Sequence, residues 1–205
     1  YYRKKVWLKS SNLINCYIMR ILVLGHARSG STSLLNYIAE SKGYKAINEP
    51  SNPIHPGDFT EEEIWEEDNV VVKELYHHGG GLRDNKKYEK LKASFDKIVS
   101  IYRENTLDTY ESTVYALSSN NWQSKYTLNE SEVKEREGSS VDKRNFLAYR
   151  KQQISALKSE NFFSVTYEGL YYKGTDKKRL DDYLEITDSK GDDILDNKHR
   201  LRQST

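Results

Sequence analysis

Short apolar runs alternate with stretches of helical periodicity along this chain. Runs that fit buried β-strands occur five times, at residues 21–24, 44–48, 70–72, 98–102 and 162–166. Between and after them, apolar positions recur at helical spacing in segments that begin near 31, 86, 106, 143 and 176. Strands and helices that alternate in this way predict an α/β fold. We expect a central parallel sheet of about five strands, right-handed crossovers and helices on both faces.

Charged or polar residues stand at or just behind the end of each predicted strand. In parallel sheets of this kind, ligands bind beyond the carboxyl ends of the strands. The third strand is expected to end at Lys73-Glu74, which places Lys73 among these residues. The candidate site therefore comprises, from the first strand to the fifth, Arg28, Glu49, Lys73, Arg103 and Tyr167.

A glycine-bounded loop links the first strand to the first helix. Gly25 and Gly30 match the two glycines of the Walker pattern, and Thr32 matches the hydroxyl residue that meets magnesium. Ser31 stands where the pattern requires lysine, and Arg28 is the loop's own cation. A loop of this kind holds an anion on backbone N–H groups and the helix N-terminus. We expect a phosphate cradle that does not take a nucleoside triphosphate with magnesium.

The size and charge of the chain favour one domain with a modest core. It has 205 residues, of which 36% are hydrophobic and 31% charged, with a formal net charge of +1. The near-zero charge gives no electrostatic case for binding nucleic acid or an anionic membrane. Met19 precedes the first strand and could be the natural start. We expect residues 19–205 to form a single domain and the basic segment 1–18 to lie outside its core.

Cysteine and hydropathy set the expected compartment. Cys16 is the single cysteine, so no intrachain disulfide is possible. No apolar run has the roughly 18–20 residues of a membrane helix, and residues 1–18 lack the apolar core of a signal peptide. A cytoplasmic location is expected. His77 and His78 are adjacent but have no evident third ligand, so no metal site is expected.

The loop resembles a family motif. Its sequence resembles the 5′-phosphosulfate loop of the sulfotransferases that use PAPS (3′-phosphoadenosine-5′-phosphosulfate), in particular glycan, tyrosylprotein and bacterial carbohydrate sulfotransferases. The resemblance implies a P-loop NTPase-like fold, PAPS as co-substrate and its desulfonated product PAP, without a metal. It implies that the 5′-phosphate and the sulfonate lie against Arg28, Ser29, Gly30, Ser31, Thr32 and Ser33.

Three further segments are similar to nucleotide contacts of that family. Arg103, which ends a strand, and Ser112, on the next helix, resemble its 3′-phosphate site. Tyr167 opens a segment that resembles Y-E-[DN]-L, where tyrosine contacts the nucleotide, although Gly169 departs from the pattern. A basic C-terminal stretch with Lys198 and Arg200 resembles one that closes over the 3′-phosphate.

The same resemblance implies the catalytic residues. Glu49 matches the family's general base, with His55 as a weaker substitute, and Lys73 matches a lysine that contacts the transferring sulfonate. Arg28 would neutralise the leaving phosphate. The implied reaction moves a sulfonate from PAPS to an acceptor hydroxyl by in-line displacement. The acceptor is expected to be a carbohydrate or glycolipid.

Two other functions remain open at this point. A P-loop kinase for a nucleotide or small molecule would share the fold and the cradle. The absent loop lysine and the lack of a magnesium-binding aspartate after an apolar strand count against it. A non-catalytic nucleotide-binding module would keep the cradle without the base, and the presence of Glu49 counts against that.

Overall fold

The computed structural model describes residues 19–51, 67–76, 85–119, 142–187 and 191–195. These ranges contain five strands: β1 (Arg20–Gly25), β2 (Lys45–Asn48), β3 (Val70–Leu75), β4 (Lys97–Tyr102) and β5 (Phe163–Thr166). They also contain six helices of five or more residues: α1 (Ser31–Lys42), α2 (Asn85–Ala93), α3 (Thr106–Ser119), α4 (Lys143–Ser159), α5 (Tyr167–Tyr171) and α6 (Thr175–Leu184). A further helical turn covers 192–195.

The strands form one parallel sheet in the order β2-β3-β1-β4-β5. Strand β1 lies at its centre, where Gly25 is in register with Leu75 of β3 and Ile101 of β4. The predicted α/β fold with a central parallel sheet of five strands is confirmed, and the glycine loop follows the central strand β1. The loops at the carboxyl edge of β1 therefore meet those of β3 and β4.

Apolar side chains cover both faces of the sheet, as the alternation of elements predicted. On one face, Ile21 and Val23 of β1 pack with apolar residues of α1, α5 and α6. On the other face, Leu22 and Leu24 pack with apolar residues of α2 and α4. Burial of β1 on both faces explains its continuous apolar run.

Strand β3 is longer than its apolar run. The polar pair after Val72 suggested that the strand ends at Lys73-Glu74, but β3 continues to Leu75 and all its residues are buried. Lys73 pairs in register with Val23, so it lies within the strand and the prediction that it follows the strand is wrong. The strand tolerates this pair because Lys73 binds Thr32 and Glu49, and Glu74 accepts the amide of Ser51.

Asp176 of α6 ties the end of β5 to the helix that follows it. This buried carboxylate accepts the Thr166 amide at 2.8 Å and the Thr166 hydroxyl at 3.0 Å, and it also accepts from Arg179. A Cβ at Gly169 would lie 2.1 Å from the carboxylate, so only glycine fits there. The space taken by Asp176 thus explains the glycine that departs from the Y-E-[DN]-L pattern.

None of the helices in the described ranges has the length and apolar character needed to cross a bilayer.

Replacing Asp176 by alanine should lower the free energy of unfolding by about 1–3 kcal/mol, because the half-buried Thr166 amide would lose its acceptor. Asp182→Ala on the same helix is the matched control, since Asp182 pairs with an exposed lysine, Lys178. The control should change stability by no more than about 0.5 kcal/mol. Urea unfolding followed by circular dichroism measures both. If both variants lost the same free energy of unfolding, the hydrogen bonds of Asp176 to Thr166 would not be stabilising.

Candidate phosphate-binding site

The loop between β1 and α1 forms the floor of the site. The Ser29 amide donates to the His26 carbonyl, and the Ser33 and Leu34 amides donate to the Gly30 carbonyl, each at 3.1 Å. Arg28 and Gly30 both have left-handed backbone, with φ of 68° and 85°. Loops with left-handed residues just before a helix are common anion sites, where backbone N–H groups at the start of the helix can donate to the anion. We call residues 25–33 the phosphate loop.

Two tyrosines of α5 fix the phosphate loop from behind. The buried Tyr171 hydroxyl donates to the Gly30 carbonyl at 2.9 Å. A Cβ at Gly30 would lie 2.8 Å from the rings of both Tyr167 and Tyr171, so the position admits only glycine. Burial raises the pKa of Tyr171, which keeps its hydroxyl a proton donor. Sequence reasoning selected Tyr167 but missed Tyr171, whose only signal was its place in the same short helix.

Arg28 reaches across the site to α3. Its Nε donates to the Ser112 hydroxyl at 2.8 Å. Burial lowers the pKa of Arg28, and the nearby charge of Arg103 lowers that pKa further. An anion near both guanidinium groups would be favoured by their two positive charges.

Arg103 is fixed beside this pair at the end of β4. It is 3% exposed, its Nη2 donates to Asp108 at 2.8 Å, and its Cζ lies 4.4 Å from the centre of the Tyr167 ring. Its Nε makes no hydrogen bond within the part of the chain that the structure describes. Arg103 and Ser112 were predicted to contact one 3′-phosphate; in the structure Ser112 accepts from Arg28, and the shared phosphate role stays a prediction. A buried donor without an acceptor is costly, so this Nε is a candidate for ligand binding.

Lys73 brings a second cation to the phosphate loop from β3. Its Nζ lies 3.0 Å from the Thr32 hydroxyl and forms an ion pair with Glu49. Burial lowers the pKa of Lys73, and this effect is opposed by the charges of Glu49 and Glu74. The ammonium thus stands at the start of α1, next to the position where Ser31 replaces the Walker lysine.

Glu49 is held in the site by both its backbone and its side chain. Its amide donates to the Lys73 carbonyl at 2.8 Å, and its φ of 51° is left-handed. Its carboxylate binds the Lys73 ammonium. The sequence prediction that Glu49 stands behind β2 at the site edge agrees with the structure, while its role as a base stays a prediction.

The serines of the phosphate loop are not equally placed. Ser29 and Ser31 are buried, Ser33 is half-buried and Thr32 is exposed. The Ser29 hydroxyl is turned toward the end of β1, because a Cβ at Gly25 would lie 2.7 Å from Ser29 Oγ. The Ser29 amide already donates to the His26 carbonyl, and the predicted contacts of these residues with a ligand stay predictions.

His26 and Glu168 are site residues that sequence reasoning missed. The buried His26 accepts the Arg103 amide on Nε2 at 3.1 Å. The Glu168 carboxylate accepts the amides of Glu104 and Asn105, each at 3.1 Å, just before α3 begins. Glu168 stands in a segment selected for its tyrosine, whereas His26 had no signal beyond its place in the loop.

Three predicted site residues lie outside the described residues, namely His55, Lys198 and Arg200, and so do His77 and His78, for which no metal site was expected. The segment 1–18 lies outside them as well.

Comparisons with known proteins return little beyond the fold. No family model and no curated protein matches this sequence. A solved structure that matches is the shikimate kinase from Bacteroides thetaiotaomicron, with a TM-score of 0.47 and 13% identity over 82% of this chain and 99% of that chain. A likeness at this level concerns the arrangement of sheet and helices, and no residue's role is taken from it.

The returned enzyme is a kinase, which contradicts the predicted enzyme type. The prediction of a PAPS-dependent sulfotransferase is therefore wrong. The physical reason lies in the motif, because a glycine loop at a helix N-terminus recognises a tetrahedral anion and does not specify which group is transferred.

Gly30→Ala should lower the free energy of unfolding by about 1–3 kcal/mol more than Gly43→Ala. Both glycines are left-handed and would carry the same backbone strain with alanine. At Gly30 the methyl group would also collide with two tyrosine rings, whereas at Gly43 nothing lies within 4 Å. Chemical denaturation of the two variants gives the comparison. Indistinguishable stabilities would contradict the tight packing of α5 on the phosphate loop.

Proposed function

We propose that this chain binds a phosphorylated nucleotide in the phosphate loop and is a phosphotransferase of the P-loop kinase type that acts on a hydroxyl acceptor. The single observation that carries the proposal is the position of Lys73, with Nζ 3.0 Å from the Thr32 hydroxyl. The missing lysine at Ser31 counted against a kinase on sequence grounds. Lys73 supplies a cation to the same helix terminus from a neighbouring strand.

The second support for a nucleotide is the pair of guanidinium groups. The charge of Arg103 lowers the pKa of Arg28, and the buried Nε of Arg103 makes no hydrogen bond within the described ranges. Arginine matches the geometry of phosphate oxygens with two parallel donors. A ligand with more than one phosphate group would engage the phosphate loop and the two arginines together.

Glu49 would accept the proton of the acceptor. In the proposed step, the P–O bond to the leaving nucleotide breaks and a P–O bond to the acceptor oxygen forms. The hydroxyl proton passes to the Glu49 carboxylate, which the ion pair with Lys73 holds at the phosphate loop. Lys73 and Arg28 balance the charge on the transferring and leaving phosphate groups.

The residues present do not fit a magnesium ion held by the protein in the Walker manner. The Thr32 hydroxyl that would meet the ion is bound by the Lys73 ammonium. No three His, Cys, Asp or Glu residues in the described ranges are grouped to hold a metal. The proposed step therefore uses the chain's own cations, and none of it passes through a metal.

No contact in the site identifies the molecule that receives the phosphoryl group. We keep the prediction that its hydroxyl belongs to a carbohydrate or glycolipid. The absence of metal and the lack of nucleic acid among the partners also stay predictions. The binding of PAPS or PAP also stays a prediction. A nucleotide with two separated phosphate groups would suit the phosphate loop with Lys73 and the arginine pair, Arg28 and Arg103.

The test is a panel of nucleotides scored by thermal shift and by phosphoryl transfer. The probes are ATP, AMP and adenosine 3′,5′-bisphosphate, each with and without Mg²⁺, and γ-labelled ATP with a mixture of sugars for transfer. Stabilisation by ATP with transfer of label supports the proposal. Stabilisation by the bisphosphate alone would overturn the kinase and leave nucleotide binding intact. Stabilisation by none of the probes would overturn both.

Lys73→Met should weaken ATP binding about tenfold or more, because a charged contact to phosphate is lost. Lys45→Met is the matched control, since Lys45 also pairs with a glutamate but on the exposed surface. The control should bind ATP as the wild type does. Calorimetric titration measures both, and an unchanged affinity in Lys73→Met would remove the observation on which the proposal rests.

Glu49→Gln should separate binding from transfer. Glutamine keeps an oxygen for Lys73 but cannot take a proton, so ATP affinity should stay within about twofold while the transfer rate falls by about 10²–10⁴. Glu67→Gln, at the exposed partner of Lys45, should change neither quantity. Single-turnover transfer under saturating ATP gives the rate. An equal rate in wild type and Glu49→Gln would exclude Glu49 as the base.

A further inference from the structure

We propose that His26 is a positioning residue that sets the place of Arg103 relative to the phosphate loop, so that one nucleotide can engage both. This inference rests on the proposed nucleotide site. It concerns a side chain that no motif selected and that the proposed phosphoryl transfer does not use.

His26 lies just beyond the point where two paired strands end their pairing. The register between β1 and β4 ends at Gly25 and Ile101. His26 is the next residue, is fully buried, and accepts the Arg103 amide on Nε2 at 3.1 Å. Its side chain thus continues the connection after the backbone ladder has ended.

The hydrogen bonds of His26 define its tautomer. A backbone amide can only donate, so Nε2 is the acceptor and carries no proton. Nδ1 then carries the proton and donates to the Ala27 carbonyl at 3.0 Å. That carbonyl belongs to the peptide group that joins Ala27 to Arg28. One imidazole therefore fixes the peptide that leads into Arg28 and the amide of Arg103.

This connection matters because Arg28 and Arg103 belong to different loops and would both contact one ligand. The two hydrogen bonds of His26 hold the Arg103 amide and the peptide that leads into Arg28 in place beyond the end of the β1–β4 ladder. The charge of Arg103 lowers the pKa of Arg28, so the like charges alone do not favour this arrangement. Preorganisation by His26 avoids the cost of ordering the two residues at the moment of binding.

Three substitutions separate the two hydrogen bonds. In His26→Gln, the amide group stands near the position of Nε2 and can accept from Arg103. In His26→Asn, the shorter amide stands near Nδ1 and can bind Ala27 but not Arg103. His26→Phe keeps the ring and loses both bonds. Thermal unfolding of each variant, monitored by circular dichroism, serves as the control for folding.

The readout is the gain in affinity that additional phosphate groups give. Calorimetry compares AMP, which has one phosphate group, with ATP and with adenosine 3′,5′-bisphosphate. In the wild type, at least one of the larger ligands should bind about tenfold or more tightly than AMP. That gain should fall at least about fivefold in His26→Asn and His26→Phe, and stay within about twofold of the wild-type gain in His26→Gln.

Each outcome decides the inference. If the wild type binds none of the three nucleotides, the proposed function fails and this inference with it. If the wild type shows the gain and the Asn and Phe variants keep it, the inference alone is overturned. A loss in the Gln variant equal to that in the Asn variant would also overturn it, because packing and not the Arg103 bond would then be responsible. If His26→Phe does not fold, the comparison of Gln with Asn still decides.

Discussion

The burial of β1 between two parallel neighbours is the constraint on which the structure depends. Its residues from Ile21 to Leu24 have no exposed surface, and their side chains alternate between the cores on the two faces of the sheet. The register with β3 and β4 then fixes which residues meet at the carboxyl edge. Lys73, the phosphate loop and Arg103 are brought together there because their strands are neighbours of β1.

The site concentrates positive charge in a part of the chain that excludes much of the solvent. Lys73 and Arg103 are each 3% exposed, and burial lowers the pKa values of Lys73 and Arg28. Charges held in this way are costly unless they are paired. Glu49 pairs with Lys73 and Asp108 with Arg103, so each carboxylate offsets one cation while the Nε of Arg103 still makes no hydrogen bond within the described ranges. A phosphate group would add the negative charge that this arrangement favours.

The phosphate loop and the transfer chemistry are separate questions. In the proposed function the loop would bind a tetrahedral anion through backbone groups that the fold provides, and Gly30 packs tightly against two tyrosine rings. What is transferred depends on the ligand and on the groups around the reacting atom. The lysine from β3 shows that a cation missing from the loop sequence need not be missing from the site.

The sequence alone determined the order of strands and helices, the glycine loop and the presence of charge near the strand ends. These are local properties: apolar runs report burial, and glycines report left-handed turns at Gly30 and Gly43. Local patterns misplaced the end of β3, because two polar residues in a buried strand look like a strand end until their partners are known.

Tertiary structure decided which of those residues act together. The bonds of Lys73 to Thr32, of Arg103 to His26 and of Arg28 to Ser112 span 41, 77 and 84 positions. On the sequence Ser112 was grouped with Arg103 as a phosphate contact, and in the structure its hydroxyl accepts from Arg28, while His26 had no signal beyond its place in the loop. Periodicity and motifs describe a residue's own neighbourhood in the chain. A hydrogen bond depends on the register of a whole sheet, which sets distances that no local pattern contains.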